Sequence, residues 1–188
     1  MLTSSHDMEW SRFKSGDVNA LESIYRLHVQ SLINYGLKIT DDLNLVKDSI
    51  QDLFIELWKG RQNLADTDQP KYYLFRALRN KLMRGVSRHS FVSEEELQLV
   101  EENLQTEYVE LTIVYKEQQS QSNGVLKRVL ERLSKRQKEA IYLRFYHNFS
   151  YETIASMMNM NYQSVLNLVQ RALKSMRKEY RGTPTSEI

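Results

Sequence analysis

The sequence predicts an all-α fold made of two small helical domains joined by an acidic linker. The chain of 188 residues holds only 6 Gly and 2 Pro, too few for the frequent turns of β-rich architectures. Apolar residues recur at helical spacing from Trp10 to Arg88 and again from Leu126 to Tyr180. Between these stretches the composition becomes rich in Glu and Gln, which is typical of a tether between compact domains.

Charge divides the chain into three blocks. Residues 1–89 have a net charge of +2, residues 90–122 of −7 and residues 123–188 of +7. The basic block predicts a polyanionic partner, and the acidic strip predicts a segment that does not itself fold on DNA. We interpret 90–122 as a mobile linker with transient or partner-induced helix, with an ordinary solvated connecting helix as the alternative.

Composition argues against several classes of protein. The chain has no cysteine, its four histidines lack metal-ligand spacing, and it has no Gly-rich phosphate loop. We therefore expect neither an enzyme nor a bound metal or cofactor. No signal peptide is expected at Met1–Glu9, and the longest uncharged stretch, Thr153–Gln170, is too polar to span a membrane. These features favour a cytoplasmic protein.

Helix-start signals organise the N-terminal block. Ser15-Gly16-Asp17 predicts a turn and an N-cap, and Asp41 or Asp42 predicts the start of a helix that runs to about Lys59. A polar loop is expected from Gly60 to Pro70, followed by a basic helix from Tyr72 to Arg88.

The helix from Asp41 to Lys59 has two different faces. Its predicted core stripe comprises Val46, Ile50, Leu53, Phe54 and Leu57. The opposite side combines apolar and polar side chains, as protein interfaces usually do, and comprises Asp48, Gln51, Ile55 and Trp58. The alternative is that Trp58 packs under another helix of its own domain.

The following helix interleaves aromatic rings with cations. This combination binds single-stranded nucleic acid, because bases stack on the rings and phosphates pair with the cations. The residues concerned are Tyr72, Tyr73, Phe75, Arg76, Arg79, Asn80, Lys81 and Arg84. Aromatic residues at helical spacing more often belong to a core, so some of these rings must be buried.

The strongest local pattern lies between Ser150 and Lys174. Ser150 is a predicted N-cap, and Asn159-Met160-Asn161 predicts a tight break. The predicted buried positions are Ile154, Ala155 and Met158 before the break and Val165, Val169, Ala172, Leu173 and Met176 after it. A short helix, a brief turn and a longer helix make a helix-turn-helix.

The other side of the longer helix predicts a face that reads DNA. Asn and Gln can pair with adenine edges, and Arg with guanine or phosphate. The face comprises Tyr162, Gln163, Ser164, Asn167, Gln170, Arg171 and Lys174. Upstream, Ser134 is a predicted N-cap, and Arg136 and Arg144 either meet phosphates or are simply solvated. A plain helical hairpin with a cation-rich end is the alternative.

Four motifs follow one another along the chain. They are Phe13–Asp17 with Ala20 and Tyr25; Asp48–Phe54 with Leu57 and Trp58; Tyr73–Asn80; and Leu133-Ser134 through Ser150–Ala155 to Arg171–Leu173. In this order they resemble the extracytoplasmic-function (group IV) sigma factors of bacteria, two-domain subunits that direct RNA polymerase to promoters. Trp10–Arg88 resembles sigma region 2 and Leu126–Tyr180 resembles region 4. The run Tyr162–Val165 is similar to the form common in Bacteroidota.

The resemblance implies the domain boundaries 1–89 for region 2, 90–122 for the linker and 123–188 for region 4. It implies core RNA polymerase, promoter DNA and an anti-sigma factor as partners. Residues implied to dock on the polymerase β′ coiled coil are Asp48, Gln51, Asp52 and Trp58, with Phe54 supporting them from within. Residues 60–73 would capture a flipped base of the minus-ten element, beside Arg76, Asn80, Lys81 and Arg84. Tyr162–Lys174 would read the minus-thirty-five element.

Some positions depart from the family pattern. Leu166 and Leu168 stand where many members have basic or polar residues, and Gly85 interrupts the basic end of the region 2 helix. Two other functions stay open on the sequence: a free-standing helix-turn-helix regulator with a dimerisation or effector domain in 1–89, and an adaptor whose basic end binds an acidic protein.

Overall fold

The computed structural model describes residues 5–65, 67, 69–85, 129–130 and 132–181. The regular elements in these ranges are all helical, which confirms the predicted fold class. The described residues form two compact units, one on each side of 86–128. The acidic strip 90–122 and Arg88 lie outside the described residues. Within the described ranges, no helix is long and apolar enough to cross a membrane.

Among the residues within 5–85 that the structure describes, the first unit has four α-helices. They are α1 (Ser5–Lys14), α2 (Val18–Ile39), α3 (Leu43–Gly60) and α4 (Pro70–Arg84), with a 3-10 turn at Arg61–Asn63. The predicted N-caps are confirmed, because one carboxylate oxygen each of Asp17 and Asp42 accepts hydrogen bonds from two backbone N–H groups of the helix that follows. Gly16 has a φ of +97°, a left-handed conformation that glycine adopts without steric cost.

Aromatic pairs connect α2 to α3 and α4. Tyr25 meets Phe54 edge-on with ring centroids 5.0 Å apart, and Tyr35 stacks on Phe75 at 4.9 Å. All four side chains are fully buried, and burial of a side chain of this size contributes about 1.5–3 kcal/mol. The predicted core stripe of α3 is confirmed in full. These contacts fix α3 and α4, the two helices that carry the candidate interface residues of this unit.

Helix α4 differs from its predicted extent of Tyr72–Arg88. It begins at Pro70, whose fixed φ suits the first helical position. It ends at Arg84 because Gly85 adopts a left-handed conformation with a φ of +60° and donates its backbone N–H to the Leu82 carbonyl. The predicted loop from Gly60 to Pro70 begins with the 3-10 turn.

In its described residues the second unit contains a helix-turn-helix, which a further helix precedes. Its elements are α5 (Lys135–Ile141), a π-helical turn (Tyr142–Tyr146), α6 (Tyr151–Met158) and α7 (Tyr162–Arg181). Both predicted N-caps are confirmed. The Ser134 hydroxyl accepts from the Gln137 N–H while Gln137 Oε1 accepts from the Ser134 N–H, and the Ser150 hydroxyl accepts from the Thr153 N–H.

The turn between α6 and α7 uses both predicted asparagines. Asn159 ends α6 with a left-handed φ of +52°, and Asn161 Oδ1 accepts a hydrogen bond of 2.7 Å from the Ser164 N–H at the start of α7. The predicted buried positions of α6 are confirmed, and Met157 joins them. On α7, Val165, Val169 and Ala172 are fully buried. The prediction that Leu173 is buried is wrong, since this side chain is 38% exposed.

Candidate nucleic-acid and protein interfaces

The predicted docking face of α3 is only partly accessible. Asp48 is exposed, whereas Gln51, Asp52 and Trp58 are half-buried. The prediction that Ile55 is exposed is wrong, because it is 7% exposed. Helix α3 packs against both α2 and α4, and a helix with two partner helices buries a wider arc than a single apolar stripe. The accessible part of this face is therefore polar and acidic, with the indole at its end.

Trp58 takes part in the packing of its own domain, which is the alternative that the sequence left open. Its ring centroid lies 6.4 Å from that of Phe13 on α1, and the Arg61 guanidinium lies 4.2 Å from the indole centroid. Arg61 Nη1 also donates a hydrogen bond of 2.6 Å to the Trp58 carbonyl. Because the indole is half-buried rather than buried, part of it remains available to a partner.

Helix α4 presents a polar, cationic face. Arg76, Asn80 and Arg84 are exposed, and Tyr72 is half-buried. Arg76 Nη1 lies 3.4 Å from the Tyr72 hydroxyl, with the guanidinium 6.0 Å from the centroid of that ring. A ring beside a guanidinium offers a surface on which an unstacked base can lie.

Two other cations of α4 are less accessible than their predicted roles require. Arg79 is only 8% exposed because α4 packs on both α2 and α3, so little of its side chain is accessible to a partner. Lys81 Nζ pairs with Glu56 Oε1 of α3 at 2.6 Å, and its side chain is 18% exposed. Lys81 therefore meets a phosphate only if it leaves or shares this carboxylate.

Two ionisable groups near the start of α4 have shifted pKa values. Burial, assisted by the negative charge of Glu56, raises the pKa of Tyr73. Burial also lowers the pKa of Lys71 from its ordinary value. The Tyr73 hydroxyl therefore stays protonated at neutral pH and can donate a hydrogen bond. Tyr73 is partly exposed whereas Phe75 is fully buried, so the rings of this helix divide between surface and core as expected.

The segment between α3 and α4 exposes amide side chains. Gln62, Asn63 and Gln69 are all exposed, and amides carry both the donor and the acceptor needed to pair with a base edge. The Gln69 N–H donates to the Thr67 hydroxyl at 3.0 Å, which orders the approach to α4. Asp66 and Asp68 lie outside the described residues.

Helix α7 presents its predicted reading face outward. Gln163, Gln170, Arg171 and Lys174 are exposed, as is Tyr162 at 45%. Ser164 and Asn167 are half-buried, and Gln163 Nε2 donates to Asn167 Oδ1 at 3.1 Å, one helical turn away. This hydrogen bond orders two amides side by side. Leu166 and Leu168 are half-buried, so they contribute to packing as well as to the surface.

The two upstream arginines behave differently. Arg136 is exposed at the start of α5 and is available to a phosphate. Arg144 is half-buried, donates a hydrogen bond of 3.1 Å to the Phe149 carbonyl and lies 5.0 Å from the Tyr151 ring centroid. Arg144 therefore holds the connection between the π-helical turn and α6.

The first turn of α6 contacts the first residue of α7. The rings of Tyr151 and Tyr162 meet edge-on with centroids 6.1 Å apart. Beside Tyr151, Glu152 has a lowered pKa because its own backbone N–H and then the Ser150 hydroxyl stabilise the carboxylate, as expected at a helix N-terminus. The sequence did not reveal this support of Tyr162, since nothing in a helical wheel relates the first residues of two helices.

Two family matches cover parts of the chain, one on each unit. Residues 24–91 match the sigma-70 region 2 family, and residues 124–176 match the sigma-70 region 4 family. Together these ranges span more than half of the chain. The chain belongs to the sigma-70 family. As a sigma factor, it binds core RNA polymerase and directs the initiation of transcription at promoters.

This sigma-70 protein is similar to a curated relative and to solved structures. It is 22% identical over 167 residues to RNA polymerase sigma factor YlaC of Bacillus subtilis strain 168, and the aligned region covers 85% of this chain and 91% of that protein. A structure of CnrH in complex with the cytosolic domain of CnrY has a TM-score of 0.59 at 18% identity and covers 95% of this chain and 98% of that chain. Sigma factor RpoE in complex with the anti-sigma factor NepR from Bartonella quintana has a TM-score of 0.54 at 18% identity, covering 85% and 95%. At these identities the structures show a shared fold.

Proposed function

We propose that this sigma-70 protein is an extracytoplasmic-function (group IV) sigma factor of Bacteroidota-like type that acts in the cytoplasm. Region 2 would occupy 1–89, the acidic linker 90–122 and region 4 123–188. The observation that carries the proposal is that each unit presents its own cation-bearing polar helix face, on α4 and on α7. Two such faces suit a promoter with two separate elements.

The polymerase contact is assigned to the accessible part of α3. Asp48 is exposed, and Gln51, Asp52 and Trp58 keep part of their surface. An aromatic edge beside carboxylates suits a partner surface that is basic with an apolar centre. The buried Ile55 and Phe54 would hold this surface rigid instead of touching the partner.

The minus-ten contact is assigned to α4 and the segment before it. Arg76, Asn80 and Arg84 offer donors to phosphates and bases, and Tyr72 offers a ring. The exposed amides of the 61–69 segment would pair with the edge of a base taken out of the stack, which costs a few kcal/mol to extract. Lys81 would contribute only in exchange for its pairing with Glu56.

The minus-thirty-five contact is assigned to α7. Its exposed residues combine amides that match adenine with cations that match guanine and phosphate. The pre-ordered pair of Gln163 and Asn167 would read one base step, while Arg171 and Lys174 would contact bases or phosphates farther along the same groove. Arg136 would fix the register of the unit on the backbone.

An anti-sigma factor is a further proposed partner. CnrH was solved with the cytosolic domain of CnrY, and RpoE with the anti-sigma factor NepR. Because this chain shares their fold, an inhibitory protein that covers the polymerase-binding or DNA-binding faces is the regulatory partner we expect.

Transcription with core RNA polymerase on a promoter library tests the proposal. We expect promoter-specific initiation with core enzyme and weak DNA binding without it, because tethering makes the second element contact effectively intramolecular. Tight binding to a palindromic duplex without polymerase would instead favour the free-standing regulator. Absence of any promoter footprint in the presence of core enzyme would favour the adaptor.

Paired variants test the assigned faces. Arg171→Ala should weaken use of the minus-thirty-five element by about 1–3 kcal/mol if the side chain reads a base, whereas Arg177→Ala removes the same charge from another face of α7 and should leave base preference unchanged. Asp48→Asn should weaken association with core enzyme, with Glu22→Gln on α2 as the charge-matched control. If the two variants of a pair had the same effect, the helix face that the pair tests would not be the predicted binding surface.

A further inference from the structure

Helix α1 lies outside both family matches, since the region 2 match begins at residue 24. Its inner side nevertheless takes part in a continuous series of ring contacts. The Trp10 ring centroid lies 5.9 Å from that of Tyr73 and 5.2 Å from that of Phe13, and Phe13 lies 6.4 Å from Trp58. The Arg61 guanidinium, 4.2 Å from the Trp58 centroid, ends the series. We call these five residues the aromatic ladder.

The aromatic ladder joins the two ends of the 61–69 segment. Trp58 and Arg61 stand where α3 gives way to the 3-10 turn, and Tyr73 stands in the first turn of α4. Trp10 and Phe13 are three residues apart on one helix, so they lie on the same face. Both are buried, at 2% and 0% exposure. Because a helix keeps its length, α1 fixes the separation of the two ends.

The contacts are directional as well as apolar. The ring planes of the ladder are tilted by 55°, 58° and 37° from one contact to the next, within the range of tilted and edge-on arrangements that aromatic pairs prefer. An aliphatic side chain would fill the same space without setting an angle. Gly16 adjoins the ladder, since a Cβ atom there would make an ordinary van der Waals contact of 3.7 Å with Arg61 Nε.

We propose that Trp10 and Phe13 are positioning residues for recognition of the minus-ten element. They hold the 3-10 turn and the first turn of α4 at a fixed separation, and so they place the exposed amides of Gln62, Asn63 and Gln69 in the segment between α3 and α4. This inference rests on the proposed function, in which that segment receives an unstacked base. The placement of these amides matters because misplacing a reacting group by about 1 Å can lower the rate of a reaction about 100-fold.

The structural part of the proposal is tested by tryptophan fluorescence. The chain has two tryptophans, so Trp10→Phe leaves Trp58 as the sole tryptophan, which can be excited selectively, and keeps a ring in the ladder. In that background, Phe13→Leu should increase the quenching of Trp58 by acrylamide, because Phe13 packs against the indole. Leu32→Ala, in the buried interior of α2 and outside the ladder, should not. Unchanged quenching without Phe13 would overturn the proposal.

The functional part is tested by run-off transcription with core RNA polymerase and the full chain. Discrimination is the amount of transcript from the cognate promoter divided by the amount from a promoter with one substituted base. For a base that is read, this ratio is about 5- to 150-fold. Trp10→Ala should lower discrimination at the minus-ten element at least about fivefold, within the loss that misplacement can cause. Discrimination at the minus-thirty-five element should stay unchanged, and Trp10→Phe should retain both.

Each outcome distinguishes one explanation. Equal losses at both elements, or the same loss in Leu32→Ala, would mean that Trp10 acts through general stability and would overturn the proposal. Where Trp10→Ala does not fold, Phe13→Leu replaces it, since leucine keeps an apolar side chain but removes the ring. A wild-type protein without minus-ten discrimination would refute the proposed function and the recognition role together, while the quenching result would still show whether α1 holds the segment.

Discussion

Gly36 of α2 faces Val46 of α3 at a distance that leaves no room for a side chain. A Cβ atom at position 36 would lie 2.6 Å from Val46 Cγ1 and 2.9 Å from Cγ2, whereas carbon atoms in contact prefer about 3.5–4.0 Å. Both residues are buried. Val46 cannot swing away easily, because a β-branched side chain in a helix has one strongly preferred rotamer. Gly36→Ala should therefore separate α2 from α3.

The magnitude follows from two opposed effects. Overpacking of a buried contact costs about 1–3 kcal/mol, and replacing glycine by alanine inside a helix recovers about 0.8–1.0 kcal/mol. With a shortfall of roughly 1 Å to ordinary contact distance, the cost lies in the upper part of its range. We expect Gly36→Ala to lower the free energy of unfolding by about 1–2 kcal/mol.

The stability change can be measured by the fluorescence of the two natural tryptophans. Both tryptophans, Trp10 and Trp58, belong to the first unit, so denaturant unfolding followed by their emission reports that unit alone. Gly60→Ala is the control, because a Cβ atom at Gly60 would have no neighbour within 4 Å among the described residues. It should be neutral or slightly stabilising.

A double-mutant cycle makes the reasoning refutable. Val46→Ala alone should cost about 2–3 kcal/mol through lost burial and a cavity. Combined with Gly36→Ala it should cost less than the sum of the two, because the new methyl group occupies the space that valine leaves. An additive double variant, or a Gly36→Ala protein as stable as wild type, would show that the contact does not limit the approach of α2 to α3.

Three further predictions concern charge and capping. The Arg12 side chain, followed by backbone N–H groups, lowers the pKa of Asp17. The ionised Asp17 side chain therefore stabilises the fold above its ordinary pKa near 3.8, and this stabilisation is lost as pH falls through the lower folded value. The difference in unfolding free energy between wild type and Asp17→Asn should shrink as the pH is lowered, and a constant difference would argue against this role of Asp17. Ser134→Ala removes a capping box and should cost the second unit about 1 kcal/mol, measured by thermal loss of far-ultraviolet circular dichroism. Glu56→Gln releases Lys81, so the dependence of log affinity for minus-ten single strands on log salt should steepen by about 0.7; an unchanged slope would mean that Lys81 meets no phosphate.

Helix starts could be predicted because they depend on neighbouring residues. Asp17, Asp42, Ser134 and Ser150 each accept a backbone N–H within three residues, and such local bonds are legible in a sequence. The early end of α4 is also local in origin, since Gly85 adopts a left-handed conformation. The sequence flagged this glycine as an interruption but did not indicate that it ends the helix.

Burial on the second side of a helix could not be predicted in the same way. Ile55 and Arg79 lie outside the strongest apolar stripe of their helices, yet both are buried because α3 and α4 each pack against two other helices. The pairing of Lys81 with Glu56 has the same origin. Tertiary contacts of this kind depend on the angle at which helices cross, and a helical wheel drawn for one helix gives no information on that crossing angle.

The outward-facing residues of α7 were predictable because the turn before it is short and well marked. This turn has a further consequence for how the protein can change. Asn159 closes α6 and Asn161 opens α7, so one inserted residue would rotate α7 by about 100° and turn Val165 and Val169 out of the core. Exposed positions such as Gln163 can vary without that penalty. Promoter preference in this lineage should therefore diverge by substitution on α7, while the length of the turn stays constant.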